Sequence, residues 1–197
     1  MISSIIFDVG GVLIENPLPK MLKHYASEFG AQQDKFDKVF FEEFSVWQNG
    51  EISEEEFWDR ISVKLGKSPP GAHDLWLAGL KSNLTEHKKV IKNAYDLKKK
   101  GFKIAILSDT ETPVANFLRE KYEGFDAYIF SCERGFTKPH REIFEITLKE
   151  LGVAANEAVF IDDKEVNVVG AEKLGIKAIL FENEESLESS LKNILNR

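Results

Sequence analysis

The sequence has almost no cysteine, no long apolar run and no excess of positive charge. Cys132 is the only cysteine among 197 residues, so an intramolecular disulfide is excluded and a thiolate metal site is not expected. No apolar run approaches the roughly 20 residues that a membrane helix needs. The chain starts with Ile2–Phe7, which is typical of a strand and not of a signal peptide. We therefore expect a cytoplasmic protein that makes no membrane contact.

The net charge of −7 argues against one class of partner, the nucleic acids. Affinity for nucleic acid depends on clustered Lys and Arg, which this composition does not favour. A small phosphorylated molecule stays possible, because a bound metal ion can reverse the charge that the ligand meets. The content of 43% hydrophobic and 30% charged residues is that of a globular protein, which could be a monomer or a homodimer.

Short apolar runs alternate with amphipathic stretches in most of the chain. Nearly continuous apolar runs are typical of strands covered on both faces, as in a parallel sheet. We predict strands at Ile2–Phe7, Lys103–Leu107, Ala158–Ile161 and Lys177–Phe181, with a weaker fifth strand at Ala127–Phe130. Helices are predicted at Lys88–Lys100, His140–Leu151 and Glu165–Leu174. This alternation predicts an α/β fold with a doubly wound, Rossmann-like parallel sheet.

Residues 17–84 interrupt this alternation, because they contain helical patterns and no convincing strand. Ser53 and Glu56 have the spacing of a capping box, and Pro69–Gly71 predicts a turn before a helix at Leu75–Leu80. We expect an all-helical cap at 17–84, inserted into a discontinuous core formed by 1–16 and 85–197. Its aromatic residues are expected to pack in a small bundle core: Phe36, Phe40, Phe41, Phe44, Trp47, Phe57 and Trp58.

Polar side chains follow three of the predicted strands, at the point where each strand ends. Asp8 follows the first, Ser108 and Asp109 the second, and Asp162 and Asp163 a third. Because the carboxyl ends of parallel strands share one edge of the sheet, these side chains should meet in space. Two carboxylates about 4 Å apart repel each other by about 4 kcal/mol, so a cation is expected. Oxygen-only ligands favour magnesium.

Each of these residues also has a structural interpretation when it is taken alone. A single Asp or Ser after a strand is often a helix N-cap or a turn residue. Lys138, which precedes Pro139, would usually be a surface loop residue. The adjacent pair Asp162 and Asp163 has no structural need for two carboxylates, so the functional interpretation depends on the set as a whole.

The set resembles the four motifs of the haloacid dehalogenase-like hydrolase superfamily. Phe7-Asp8-Val9-Gly10-Gly11-Val12-Leu13 resembles the first motif, and Leu107-Ser108-Asp109 resembles the second. Lys138-Pro139 with Ile143-Phe144 resembles the third motif. Phe160-Ile161-Asp162-Asp163, with Asn167, Ala171 and Leu174-Gly175, resembles the fourth. The helical insert after the first motif is similar to the small cap of the superfamily's first subclass. The resemblance covers essentially the whole chain.

The resemblance implies a nucleophile and a metal site. Asp8 would attack phosphorus and form an aspartyl-phosphate, which divides a difficult hydrolysis into two steps. Asp8, Asp162 and the main-chain carbonyl of Gly10 would hold magnesium. Asp163 would be a further ligand or would accept a hydrogen bond near the metal.

The resemblance also implies a phosphate site. Ser108 and Lys138 would be catalytic residues that bind the transferring phosphoryl group, together with Asp109 and the main chain of Gly10 and Gly11. Lys138 would neutralise charge on the phosphoryl oxygens. We also expect Lys138 to keep the nearby nucleophile, Asp8, ionised.

Gly10 departs from the family pattern, because phosphatases of the family usually carry a second Asp at this position. That Asp protonates the leaving group, and such help is typically worth roughly 10²–10⁴-fold in rate. Another group could replace it, and Glu15, Asp109 and His24 are candidates. Alternatively, the substrate is an anhydride whose leaving group needs no proton, or the protein mainly binds a phosphorylated ligand and hydrolyses it poorly.

The sequence thus predicts a magnesium-dependent phosphohydrolase acting on a small phosphorylated metabolite. A 2-haloacid dehalogenase is an alternative, since dehalogenases of the family also lack the second Asp. These enzymes work without metal, whereas the pair Asp162 and Asp163 favours one. A catalytically weak protein that binds a phosphorylated ligand is the alternative from another functional class.

Overall fold

A computed structural model of the chain describes residues 1–67 and 75–195. Within these ranges, five strands form one parallel sheet in the order β3-β2-β1-β4-β5. The strands are β1 (Ser4–Phe7), β2 (Lys103–Ser108), β3 (Ala127–Phe130), β4 (Ala158–Asp162) and β5 (Lys177–Leu180). The chain leaves the central strand β1 first towards β2 and β3 and later towards β4 and β5. This is the doubly wound α/β fold that the sequence predicts.

Both faces of the sheet are covered by apolar layers. Ile5 and Phe7 of β1 belong to one hydrophobic cluster, and Ile6 between them belongs to another on the opposite face. All three side chains are fully buried. Alternation of side chains along a strand thus explains why the predicted strands are almost continuously apolar.

Four of the predicted strands differ from the observed ones at their ends. The first begins at Ser4 and not at Ile2, and the last ends at Leu180 and not at Phe181. The second and fourth each continue by one residue, because Ser108 pairs with Phe130 and Asp162 pairs with Leu180. Two polar residues of the expected site are therefore the last residues of their strands.

The described part of 17–84 is helical, as predicted. It contains α1 (Leu18–Glu28), α2 (Gln33–Gln48), α3 (Glu54–Leu65) and α4 (Leu75–Ser82). The turn predicted at Pro69–Gly71 lies outside the described residues. The boundaries of the cap at 17–84 and of the core at 1–16 and 85–197 stay predictions.

Six of the seven aromatic residues expected in the bundle core are buried there. The rings of Trp47 and Phe57, for example, stack with centroids 4.4 Å apart. Phe41 is the exception, since 51% of it is exposed. On α2 the helical period places Phe40 and Phe44 on the buried side and turns Phe41 away from them, so its predicted core position is wrong.

Only half of the predicted capping box forms at the start of α3. The Ser53 hydroxyl accepts a hydrogen bond from the Glu56 main-chain N–H at 3.1 Å, as an N-cap should. The Glu56 carboxylate does not return to the main chain of Ser53. It instead accepts a hydrogen bond from Arg60, one turn further along, at 2.6 Å.

Six more α-helices follow in the described residues: α5 (Lys88–Lys99), α6 (Thr112–Lys121), α7 (Ser131–Arg134), α8 (Arg141–Leu151), α9 (Glu165–Glu172) and α10 (Glu184–Leu195). A short 3-10 helix (Ala155–Glu157) lies between α8 and β4. The three helices predicted here correspond to α5, α8 and α9, which are one or two residues shorter than expected. No helix in the two described ranges is both long enough and apolar enough to cross a bilayer.

Candidate active site

The three central strands bring their polar residues to one edge of the sheet. Asp8 directly follows β1, Ser108 ends β2 and Asp162 ends β4. Because β1 pairs with both β2 and β4, Asp8 lies between the other two residues. All three side chains are buried, although each is polar or charged. Such burial requires compensation by charge or by hydrogen bonds.

Lys138 provides part of this compensation. Its Nζ lies 2.7 Å from Oδ1 of Asp8 and 2.8 Å from Oδ2 of Asp162, and only 2% of its side chain is exposed. Its main-chain N–H donates to Oδ1 of Asp109 at 2.9 Å, which fixes the loop that carries it. The structural interpretation of Lys138 as a surface loop residue is therefore wrong.

Asp162 is held by further donors from the start of α9. The Asn167 side-chain amide donates to both carboxylate oxygens of Asp162, at 3.0 and 3.1 Å. The main-chain N–H of Lys164 donates to Oδ1 of Asp162 at 2.8 Å. Asn167, which the sequence places beside the fourth motif, therefore orients the carboxylate of Asp162.

Asp8, Asp162 and Asp163 form a cluster that could hold a metal ion. Each offers a carboxylate oxygen, and these oxygens lie within 4.8 Å of one another. Oδ1 of Asp163 is buried and has no hydrogen-bond partner in the described part of the chain. A cation would satisfy this oxygen, and an all-oxygen donor set suits a hard divalent ion such as magnesium. The residues present thus fit the metal that the sequence predicts.

Burial shifts the ionisation of these groups. It raises the pKa of Asp8 above its ordinary value, whereas the nearby ammonium group of Lys138 acts in the opposite direction. Lys138 thus opposes the effect of burial and favours the ionised form of Asp8, which is the direction that the sequence predicts. For Lys138, burial by itself would lower the pKa. The nearby carboxylates of Asp8, Asp109 and Asp162 outweigh the effect of burial and raise this pKa above its ordinary value. A cation bound at the carboxylates would favour the ionised form of Asp8.

Gly10 and Gly11 occupy different environments. Gly11 has a φ of +91°, and a Cβ built there would lie 2.3 Å from Oδ2 of Asp163. A side chain at Gly11 is therefore excluded by the carboxylate cluster. A Cβ built at Gly10 meets no atom within 4 Å in the described structure. Lack of space for a Cβ therefore does not explain why position 10 is Gly and not Asp.

A cavity of about 290 Å³ opens beside Asp8, between the sheet edge and the inserted helices. Gly10, Ser108, Asp109 and Lys138 line its floor, whereas Gly11 lies outside this lining, against Asp163. The insert contributes Met21, Phe41, Phe44, Ser45, Gln48 and Trp76.

The structure separates the three candidates for the missing acid. Asp109 lines the cavity. Glu15 and His24 are exposed and do not line it. Glu111, which the sequence does not reveal as a site residue, also lines this cavity, and it is buried. Its only signal in the sequence is its place three residues after Ser108.

Comparison with known proteins agrees with this arrangement. The model of the haloacid dehalogenase-like hydrolase family matches residues 2–175 of the chain. The chain belongs to this family. The match includes Asp8, Ser108, Lys138 and the adjacent pair Asp162 and Asp163, and it extends across the inserted helices.

Among curated relatives of this family member, the D-ribitol-5-phosphate phosphatase of Bacteroides thetaiotaomicron is 25% identical over 219 residues, which covers 100% of both chains. Acyl-CoA dehydrogenase family member 10 of Mus musculus is 26% identical over 203 residues, covering 98% of this chain and 19% of the mouse protein. The chain spans only 19–21% of the length of the mouse and rat relatives that it matches.

A crystal structure of a haloacid dehalogenase family enzyme from Bacteroides thetaiotaomicron, in its magnesium complex, has a similar fold. Its TM-score is 0.72 and its identity is 25%. The alignment covers 92% of this chain and 93% of that one. The sheet together with its inserted helices is therefore an arrangement shared with solved members of the family.

Proposed function

We propose that the protein is a magnesium-dependent phosphohydrolase that acts on a small phosphorylated metabolite through an aspartyl-phosphate. The observation that carries this proposal is the buried cluster of Asp8, Asp162 and Asp163, bridged in part by Lys138 and placed beside a cavity. Lys138 offsets at most one of the three negative charges. The similarity to a D-ribitol-5-phosphate phosphatase and to a magnesium complex supports the assignment.

The metal would be held by Asp8, Asp162, Asp163 and the main-chain carbonyl of Gly10. When bound, magnesium would offset negative charge on the carboxylates and on the phosphoryl oxygens of the substrate. The buried, unpartnered Oδ1 of Asp163 supports its role as a ligand. Asn167 would keep Asp162 in position for the same ion.

Asp8 is oriented for nucleophilic attack by its own neighbours. The main-chain N–H of Val9 donates to its Oδ1 at 2.7 Å, and Nζ of Lys138 forms an ion pair with the same oxygen at 2.7 Å. We expect the other oxygen, Oδ2, to attack phosphorus, so that a P–O bond forms while the P–O bond to the leaving group breaks. Water then attacks phosphorus in the aspartyl-phosphate, which releases phosphate and restores Asp8.

The other residues at the sheet edge would bind the phosphoryl group. Ser108 and Lys138 would contact the transferring oxygens, with Asp109 and the main chain of Gly10 and Gly11 next to them. Ser108 and Lys138 both line the cavity and are buried, as a positioned donor should be. The cap at 17–84 would close over the substrate, exclude water and set specificity.

A panel of phosphorylated compounds tests this function. Sugar phosphates, acetyl phosphate and pyrophosphate are each incubated with wild-type protein and with Asp8→Asn, in magnesium or in EDTA. We expect phosphate release only from wild-type protein in magnesium. Full activity of Asp8→Asn, or full activity in EDTA, would contradict the proposed mechanism. Release from the anhydrides alone would show that the missing Asp at Gly10 restricts the leaving group.

Gly10 supports a second candidate, a protein that binds a phosphorylated ligand and hydrolyses it poorly. The same panel distinguishes the two, because a binding protein would show no turnover while a phosphorylated ligand raises its melting temperature. The dehalogenase alternative has less support, since a metal-independent reaction does not need the three clustered carboxylates. Release of halide from a 2-haloacid in EDTA would favour it.

A further inference from the structure

Ser131 is a buried polar residue that contacts both the sheet edge and the inserted helices. It directly follows β3, and its exposed fraction is 0%. Its hydroxyl accepts a hydrogen bond from the main-chain N–H of Thr110 at 2.9 Å and donates to the main-chain carbonyl of Gln48 at 2.6 Å. The carbonyl of Thr110 lies 3.2 Å from the same hydroxyl. One side chain thus joins the segment after β2 to the last residue of α2.

The hydroxyl of Ser131 continues the pairing of β2 and β3 beyond the end of the sheet. Ser108 and Phe130 are the last paired residues of these strands. Beyond them, the main-chain N–H of Thr110 bonds to the Ser131 side chain and not to a neighbouring strand. The segment 108–110, which contains part of the proposed phosphate site, is therefore held in line with β3 after the strands have ended.

A second hydrogen bond joins the same segment to α2. Nε2 of Gln48 donates to the main-chain carbonyl of Asp109 at 3.2 Å. The carboxylate of Asp109 accepts in turn from the main-chain N–H of Lys138, whose ammonium group lies at the carboxylate cluster. A displacement of segment 108–110 would therefore move Lys138 as well as Ser108.

The end of α2 and the start of α7 are in close main-chain contact at the same place. Gly50 has a φ of +76°, and a Cβ built there would collide with the carbonyl oxygen of Cys132. Glycine allows this approach, which brings the C-terminal end of α2 against Ser131. Because the last carbonyls of a helix lack a partner within the helix, the Ser131 hydroxyl supplies one for Gln48 from outside the insert.

We propose that Ser131 is a positioning residue for the proposed phosphoryl transfer. It does not line the cavity, so it acts through the main chain of Thr110 and not on the substrate itself. Its hydroxyl sets the position of segment 108–110, and thereby that of Lys138, relative to the phosphoryl group. The inference rests on the proposed function, since it takes Ser108 and Lys138 as the groups that bind the transferring oxygens.

Ser131→Ala tests this inference in the intact protein, at a temperature well below the unfolding midpoint of each variant. Both measurements use magnesium: steady-state kinetics with acetyl phosphate, and calorimetric titration with inorganic phosphate. We expect kcat/KM to fall by about tenfold or more, mostly through kcat, because small displacements of positioning groups act chiefly on the transition state. The dissociation constant of inorganic phosphate should rise by a smaller factor.

Ser62→Ala is the matched control. Ser62 is buried in α3, and its hydroxyl donates to the main-chain carbonyl of Trp58 at 2.6 Å, the same distance as from Ser131 to Gln48. This hydrogen bond lies within α3 and not at segment 108–110, so kcat/KM and phosphate affinity should keep their wild-type values. If Ser131→Ala does not fold, Ser131→Cys replaces it, because a thiol is similar in size but a weaker donor and acceptor. Losses of the same kind are then expected.

Two outcomes would overturn the inference: a wild-type kcat/KM in the Ser131 variant, or an equal loss in Ser62→Ala. The second would show that the loss of any buried hydroxyl has this effect. If wild-type protein does not turn over acetyl phosphate, the phosphate titration decides. Weaker binding by the Ser131 variant than by wild-type protein then supports the inference, and unchanged or absent binding overturns it. Failure of the proposed function is therefore seen in wild-type protein, and failure of the inference in the comparison of variants.

Discussion

At the scale of single residues, the ammonium group of Lys138 lies between two buried carboxylates, 2.7 Å from Asp8 and 2.8 Å from Asp162. Lys138→Met leaves both charges unpaired, and breaking a buried ion pair in this way typically costs about 3–5 kcal/mol. We expect the free energy of unfolding to fall by this amount in EDTA, and part of the loss to be recovered in magnesium. Urea unfolding in both conditions measures it. Lys164→Met is the control, since Lys164 is exposed, and its effect should stay within about 0.5 kcal/mol.

A stability loss by Lys138→Met no greater than that of Lys164→Met would show that Lys138 does not balance the charge of the cluster. Equal losses in EDTA and in magnesium would show that no cation replaces it.

Gly10 is the residue at which the site departs from its family. A Cβ fits there without contact, so Gly10→Asp should fold and place a carboxyl beside the cavity. If a missing proton donor limits turnover, hydrolysis of alkyl phosphates should rise by about tenfold or more, while anhydrides should gain little. Steady-state kinetics with propyl phosphate and acetyl phosphate measure the two effects.

Gly11→Asp is the control for this prediction, because its side chain would collide with Asp163 and its φ is positive. We expect it to lower both stability and activity. An unchanged rate for a folded Gly10→Asp variant would show that proton donation at this position is not what limits the enzyme.

At the scale of secondary-structure elements, α3 depends on a single side-chain cap at its N-terminus. The Ser53 hydroxyl accepts from the Glu56 main-chain N–H, and α3 carries the buried rings of Phe57 and Trp58. Ser53→Ala should therefore lower the free energy of unfolding by about 1 kcal/mol, and Ser53→Gly by only a few tenths. Urea denaturation measures both. Equal losses in the two variants would show that the hydroxyl does not act as the cap.

The sequence predicts elements well where the apolar pattern is long or continuous. The strands are found within two residues, because both faces of the sheet are covered. Besides the four-residue α7, two longer helices, α6 and α10, are not predicted from the sequence. The first buries Val114, Ala115 and Leu118 and the second only Leu187 and Leu191, which is too few positions to establish a helical period.

The same reasoning explains which site residues the sequence reveals. Asp8, Ser108 and Asp162 can be predicted to meet because parallel strands end at a common edge. Glu111 cannot be predicted to lie at the site, because its orientation depends on a hydrogen bond from Trp76. Trp76 lies 35 residues earlier in the chain, on the inserted helix α4. The division of roles among the clustered carboxylates stays a prediction.

At the scale of the whole molecule, the buried carboxyl of Glu111 should make stability depend on pH. Burial raises the pKa of Glu111 from 4.5 to about 7, so the folded protein binds its proton more tightly than the unfolded chain does. Its contribution to the free energy of unfolding therefore falls as pH rises from 4.5 to 7, by up to about 3 kcal/mol.

Glu111→Gln removes this dependence. The stability of the variant relative to wild type should therefore rise over that pH interval and level off above it. Urea unfolding at a series of pH values, in EDTA throughout, measures the difference. Other titrating groups are common to both proteins and largely cancel. A difference that is independent of pH would contradict the raised pKa.

The central claim for the whole molecule is that Asp8 becomes covalently phosphorylated. Its most direct test is acid quenching of the protein during turnover of acetyl phosphate in magnesium, followed by peptide mass spectrometry. We predict a phosphoryl group on Asp8 that is absent in EDTA, and no label on the corresponding peptide of Asp8→Asn, which should not turn over. Turnover that continues in Asp8→Asn, or a phosphoryl group on another residue with Asp8 unmodified, would contradict the account.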